Sequence, residues 1–281
     1  MKTWRHIKRI FIDTALHWWR HAPSQMGAAT AYYALFSIAP LLFLVMTVAG
    51  VLIGRANVEA SLFISVSQVV GPGPAGLMRE LVREVSRPSV TSIGGIVGTV
   101  VLLIGAVGLL SQIQWSLEHL WGHERGRFHF LTFVKKKFIA LVTIIILGIV
   151  LALSLIINIS FAALAPLLTR LHIIGFVPMT TAVASFLIAV CVFILVFRYL
   201  PQITLHWGSV LAGALFTGII FSFGKLAIAY YLSHTSLVTS FGAFGAIVVL
   251  IIWVYYSAQA FFFGAAFAYV IDRKIRSGMI R

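Results

Sequence analysis

AATAYYALFSIAPLLFLVMTVAGVLIG, residues Ala28–Gly54, runs for 27 residues without a charged side chain. A helix rises about 1.5 Å per residue, so about 20 apolar residues cross roughly 30 Å of hydrocarbon. This stretch is long enough to do so with some tilt. Five more runs of the same kind follow: Ser89–Ser111, Phe138–Leu168, Phe176–Phe197, His206–Ser233 and Ala243–Ile271. The whole chain has 281 residues, 60% apolar and 10% charged, with a mean hydropathy of +1.03. Soluble domains are about half apolar and about a quarter charged. Such an excess of apolar surface excludes a soluble globule, a disordered chain and a secreted disulfide scaffold. The sequence reads as an all-α polytopic membrane protein with six transmembrane helices.

The net charge is +14, from 21 Lys and Arg against 7 Asp and Glu. These bases cluster in short segments beside the apolar runs, where topology signals and lipid headgroup contacts belong, so no nucleic acid partner is expected. Fifteen of them precede the first run, join runs two to three and four to five, or follow the last run. Five fall on the opposite side: Arg55, Arg79, Arg83, Arg87 and Arg170. The bias predicts that both termini are cytoplasmic. The only cysteine, Cys191, lies inside an apolar run, so no intramolecular disulfide forms. No small-residue cleavage site follows the basic N-terminus, and the first helix is expected to be retained.

Residues 3–21 form a separate element. At helical spacing Trp4, Ile7, Phe11, Ala15 and Trp18 share one face, and Arg5, His6, Arg9, Asp13, His17 and Arg20 share the other. This predicts a basic amphipathic helix lying on anionic headgroups of the inner leaflet, or else packed on the protein's own cytoplasmic side. The outer loop Arg55–Pro88 is broken by Gly71-Pro-Gly-Pro74, and Leu77, Leu81, Val82 and Val85 recur at helical spacing after it. Two short helices capping the outer face are expected. The organisation is then an interfacial helix in 1–23, a bundle in 24–271 with its helical loop at 55–88, and a basic tail in 272–281.

A charge inside a span is costly and marks a functional candidate. Lys225 is the one clear case, in the fifth run, with Ser222, Gly218 and Thr217 on the turns before it. Its ammonium either lines a wet cavity that attracts an anion or snorkels to the outer interface. Ser154 and Asn158 share a face of the third span, and Tyr255 and Gln259 share one in the sixth, beside Tyr256. Such groups bond between helices or line a path. The candidate substrate-binding residues are Lys225, Asn158, Tyr256 and Gln259. Pro40 removes a backbone donor from the first span and should kink it. Gly94, Gly95, Gly98, Gly105 and Gly108 suit close helix packing, Gly242 and Gly245 suit a hinge, and Tyr32 and Tyr33 suit an interface.

Enzymatic chemistry is not expected. The seven acids, Asp13, Glu59, Glu80, Glu84, Glu118, Glu124 and Asp272, form no dense cluster on either side. A metal-dependent nuclease needs several converging carboxylates. Glu118, His119, His123 and Glu124 come nearest to a metal set, but an interfacial, solvated or helix-capping role suits them better. No Walker loop, Gly-x-Ser-x-Gly or Cys-x-x-Cys occurs, and no cofactor is expected.

Several motifs carry a resemblance. Ala31-Tyr-Tyr-Ala-Leu-Phe-Ser-Ile-Ala-Pro40-Leu-Leu opens it, and Gly94-Gly with Ser116-Leu-Glu-His-Leu-Trp121 continues it. Arg198-Tyr-Leu-Pro201, Gly213-Ala214, Lys225, Tyr230, Gly242, Gly245-Ala246, Trp253-Val-Tyr-Tyr256 and Gly264-Ala265 complete it. Over about residues 13–271 the chain resembles the YihY/BrkB family of bacterial inner-membrane proteins. The resemblance implies six spans and an inner-membrane location. That family carries an old ribonuclease BN label, regarded as a misassignment, and a virulence-factor label tied to serum resistance; transport is the usual suspicion. Two departures stand out: Glu118 replaces the usual Asn, and Ala266 replaces a usual Glu, removing an intramembrane carboxylate from the face of Gln259. The expected function is a transporter or flippase-like protein for an anionic amphiphile or solute, linked to envelope integrity. The alternative is a non-transporting envelope scaffold or assembly factor. Membrane lipids are the expected partners, and a homo-oligomer is left open.

Overall fold

A computed structural model describes residues 2–54, 93–122, 176–201, 203–233 and 237–278. It also describes single positions between 59 and 80 and at 142, 146, 149, 150 and 153. The long helices are α1 (Lys2–Arg20), α2 (Pro23–Ile53), α3 (Ile93–Leu120), α4 (Phe176–Tyr199), α5 (Trp207–Ser233) and α6 (Leu237–Arg276). Among the described residues there is no strand. Among them three stretches are long and apolar enough to cross a membrane: Ala182–Tyr199, Trp207–Ala227 and Ile247–Arg276. Of the expected third span, only Val142, Ile146, Ile149, Val150 and Leu153 are described, all helical.

Local chemistry sets the helix ends. Pro23 starts α2, where its missing N–H costs nothing. Ala22 before it adopts φ 49°, ψ 57°, a left-handed corner that turns the chain from α1 into α2. Gly54 ends α2 at φ 84°, and its N–H donates to the Gly50 carbonyl at 3.0 Å. The helical backbone of α2 runs on through Pro40.

Small residues set the packing. The α5/α6 seam is close: a methyl at Gly213 would lie 3.2 Å from the Gly264 carbonyl oxygen. Gly264 in turn faces Thr217, and Gly213 faces Ala268. Gly224 takes the Tyr256 ring further along the same seam. In α2/α3, Gly105 meets Phe36 and Gly108 meets Tyr33. These pairings run in opposite directions along the two helices, so each pair is antiparallel. Close approach of this kind gives dispersion and backbone contact without an aqueous hydrophobic driving force.

The register brings α1, the start of α2, the ends of α3, α4 and α6, and the start of α5 to one end of the bundle. His17 Nε2 donates to the Leu120 carbonyl at 2.8 Å, and Lys274 Nζ meets Asp13 at 2.7 Å. The best-packed core lies near this end and includes Leu117, Leu120, Phe197, Val210, Phe262, Ala265 and Ala266. A second cluster joins Ala31 and Ala34 of α2, Leu250 and Val254 of α6, and Met78 from the loop. In the expected outer loop, Arg79 Nε donates to Glu59 at 2.8 Å and covers the Phe63 ring. The loop's buried Met78 thus packs into the bundle wall, beyond a surface cap.

One face of α5 carries a continuous row of exposed side chains. Trp207, Leu211, Leu215, Ile219, Phe223, Leu226 and Tyr230 are all exposed along it. From Trp207 to Tyr230 the rise is about 35 Å, which matches a hydrocarbon core with an aromatic at each edge.

Candidate functional site

Lys225 sits on the α5 turn after Phe221, with Nζ 5.8 Å from the Phe221 ring centre. That is within cation–π range. The Phe221 ring in turn meets Phe193 of α4 and Trp253 of α6, so Lys225 lies on the bundle side of α5 rather than on its bare stripe. It is partly buried and faces no carboxylate among the described residues. Its Cα is about 7.5 Å along the helix from Tyr230. Gly224, its neighbour, receives the Tyr256 ring, so the structure brings Lys225 and Tyr256 to one stretch of the α5/α6 seam.

Gln259 points elsewhere. One turn on from Tyr255, it faces α2, where its Nε2 donates to the Pro23 carbonyl at 2.9 Å. Gly27 leaves the room that this amide fills. The Oε1 of Gln259 is buried and accepts no hydrogen bond among the described residues. Asn158 lies outside the described residues. Ala266 is fully buried among Phe262, Ala265 and Leu117, so its site is filled by packed methyl and ring carbons.

A second polar region occupies the end where the termini meet. Asp272, nearly fully buried, accepts from His206 N and Nδ1 through Oδ1 and from Arg276 Nε through Oδ2. It caps the start of α5 from α6. Arg276 also donates to the Thr204 carbonyl, and Arg198 donates to the next one, Leu205, at 2.7 Å. The Arg198 guanidinium lies 4.8 Å from the Trp207 ring centre.

Three histidines gather where α1 crosses the bundle. His17 and His21 are 4.4 Å apart by ring centre, and His21 and His119 are 5.4 Å apart. His17 also stacks on Tyr269 at 4.9 Å. Burial holds the His17 imidazole below its usual value. The Leu120 carbonyl opposes this in part, and His21, Arg273 and Arg20 push the same way as burial. His119 is lowered too, by burial first and His21 second.

Two expectations change here. Periodicity put His17 on the polar face of α1, whereas it is half-buried and bonded across to α3, on the stripe where Thr14 is also buried. Glu118 is not solvated: it is 6% exposed and accepts from Gln114 at 3.1 Å, one turn back on the same buried face of α3. Among the described residues no group of histidine, cysteine and carboxylate side chains could hold a metal ion. His123 and Glu124 lie outside them. Sequence reasoning missed Asp272 as a hub; its i, i+4 spacing to Arg276 was the available sign.

The Virulence factor BrkB family model matches residues 14–278, nearly the whole chain. The chain belongs to the BrkB family. This BrkB-family chain is 23% identical to a UPF0761 membrane protein of Pseudoalteromonas atlantica, across 97% of its own length and 89% of the relative's. It is 23% identical to one from Haemophilus influenzae over 89% of itself and 90% of the relative. A third, from Glaesserella parasuis, is 27% identical over 63% of this chain and 61% of its own. No solved structure matches the chain. The BrkB-family chain is thus a membrane protein with membrane-crossing helices.

Proposed function

We propose that this BrkB-family protein is a six-span inner-membrane transporter or flippase-like protein for an anionic amphiphile or solute, linked to envelope integrity. The observation that carries this reading is Lys225: a partly buried ammonium with no carboxylate partner among the described residues, beside Tyr256 on the α5/α6 seam. A cation kept at membrane depth needs a counter-charge, which the described residues do not supply there and an anionic substrate would. Gln259 Oε1, a buried acceptor without a donor, offers a polar contact nearer α2, and Asn158 would add one from the third span. The basic end of the bundle is the cytoplasmic end by the positive-inside bias. There α1 would lie on anionic headgroups, with exposed Ile12, Leu16 and Trp19 turned to lipid and Lys8, Arg9 and Arg20 at the phosphates.

The test is reconstitution in vesicles loaded with labelled phosphatidylglycerol or small anions. Wild type should move one of these above empty vesicles, and Lys225→Met should abolish most of that flux. No flux in either protein would sink the proposal. The close α5/α6 seam favours a second reading, a non-transporting envelope scaffold. It predicts partners that co-purify in mild detergent and an envelope phenotype untouched by Lys225→Met.

A further inference from the structure

Arg198 stands at a corner of the bundle with donors to spare among the described residues. It has five N–H donors in a rigid fork, one of which the described residues engage, on the Leu205 carbonyl. Its guanidinium lies over Trp207, which is itself 56% exposed, and it faces no carboxylate among the described residues. Asp272, the acid at this corner, has both oxygens taken by His206 and Arg276. Arg276 is half-exposed and donates to Thr204, the residue before Arg198's own acceptor. Two guanidiniums from α4 and α6 therefore converge on consecutive carbonyls against one carboxylate. Exposed Tyr199 and Trp207 flank them, and the bare α5 stripe begins one turn on, at Leu211.

We propose that Arg198, Trp207 and Arg276 form a binding site for the phosphodiester of an anionic phospholipid in the cytoplasmic leaflet, its acyl chains lying along Leu211, Leu215 and Ile219. A planar fork held over an indole recognises phosphate oxygens in pairs. The apolar stripe leading away from it selects a lipid over free phosphate, which has no chains to place there. The site is separate from Lys225 and rests on the membrane orientation proposed above only for the choice of leaflet.

The full chain in mild detergent should be titrated with phosphatidylglycerol, phosphatidylcholine and inorganic phosphate, and bound species counted by native mass spectrometry. Wild type should retain one phosphatidylglycerol in preference to phosphatidylcholine. Arg198→Gln should weaken that retention about tenfold or more, the loss expected for a charged hydrogen bond. Trp207→Leu leaves the Arg198–Leu205 bond in place and should also weaken it, which covers the case that Arg198→Gln fails to fold. Repeating the Arg198→Gln and Trp207→Leu comparisons in a Lys225→Met background removes the other proposed anion site, so a failure of transport and a failure of this site are read apart. Undiminished phosphatidylglycerol retention in Trp207→Leu and in folded Arg198→Gln would overturn the proposal, as would equal competition by inorganic phosphate.

Discussion

His17 shows how one side chain ties a surface helix to the bundle. Its Nε2 must carry a proton to donate to the Leu120 carbonyl, and burial disfavours a second proton on the ring. A second proton would place a cation beside His21 and Arg20 of α1 and Arg273 of α6. The docked ring titrates below 6.5 and the undocked ring near 6.5, so undocked α1 binds protons first as pH falls. Docking is then at full strength above about pH 6.5 and weakens as pH drops through the window beneath it. Hydrogen exchange over residues 2–21, corrected for intrinsic rates, should show protection falling between pH 7 and pH 5. His17→Gln keeps a donor without the titration and should flatten that fall; an unchanged slope would exclude His17 as the cause. Ala22 offers a second test. An L-residue in left-handed geometry costs about 1–2 kcal/mol, so Ala22→Gly should stabilise the protein by roughly 1 kcal/mol and raise its melting midpoint by about 2–4 °C.

At the scale of elements, the α5/α6 seam depends on glycine at particular turns. A methyl at Gly264 would collide with the Thr217 side chain, whose hydroxyl is already committed to the Gly213 carbonyl at 2.7 Å. Gly264→Ala should force the helices apart at a cost of about 1–3 kcal/mol, read as a lower melting midpoint in detergent. Gly208, at the start of α5, meets nothing within 4 Å, and Gly208→Ala should change stability by less than about 0.5 kcal/mol. A similar loss in both variants would exclude the seam contact as the cause, because alanine is the better helix former at either position. Much of this level was legible in the chain. The run at His206–Ser233 became α5 at Trp207–Ser233, and residues 3–21 became α1, because uncharged length and periodicity fix helices locally. The sixth span grew from Ala243–Ile271 to Leu237–Arg276, since Asp272 and Arg276 bond to each other and to the α4–α5 connection instead of ending the helix. The candidate site was less legible. Depth singled out Lys225, and Phe221 is its neighbour one turn back on the same helix, but Tyr256 comes beside it through the Gly224 contact, which only tertiary packing creates. Likewise, spacing gave the angle of His17 around α1 without saying what stood opposite.

For the molecule as a whole, the antiparallel register has a consequence for topology. α1, which begins at Lys2, and the end of α6 at Arg276 meet through Lys274–Asp13, so they occupy the same end of the bundle. Lys8, Arg9, Arg20, Arg198, Arg273, Lys274 and Arg276 all gather there. Among the described residues, the opposite end holds Arg79 paired with Glu59, and Glu80 beside it. A chain inserted by the positive-inside bias keeps the first end in the cytoplasm, and moving even a few of those bases across the bilayer is strongly disfavoured. This fixes a labelling pattern. In a Cys191→Ala background, single cysteines at Lys8, Ser277 and Glu59 should be challenged with a membrane-impermeant maleimide. Glu59→Cys should react in cells whose outer membrane alone is opened, whereas Lys8→Cys and Ser277→Cys should react only after the inner membrane is breached. Reaction of one terminal position but not the other from outside would break the six-span count, because an odd number of crossings is then required. Reaction of both from outside would keep the count and invert the orientation, placing the Arg198 corner in the periplasmic leaflet.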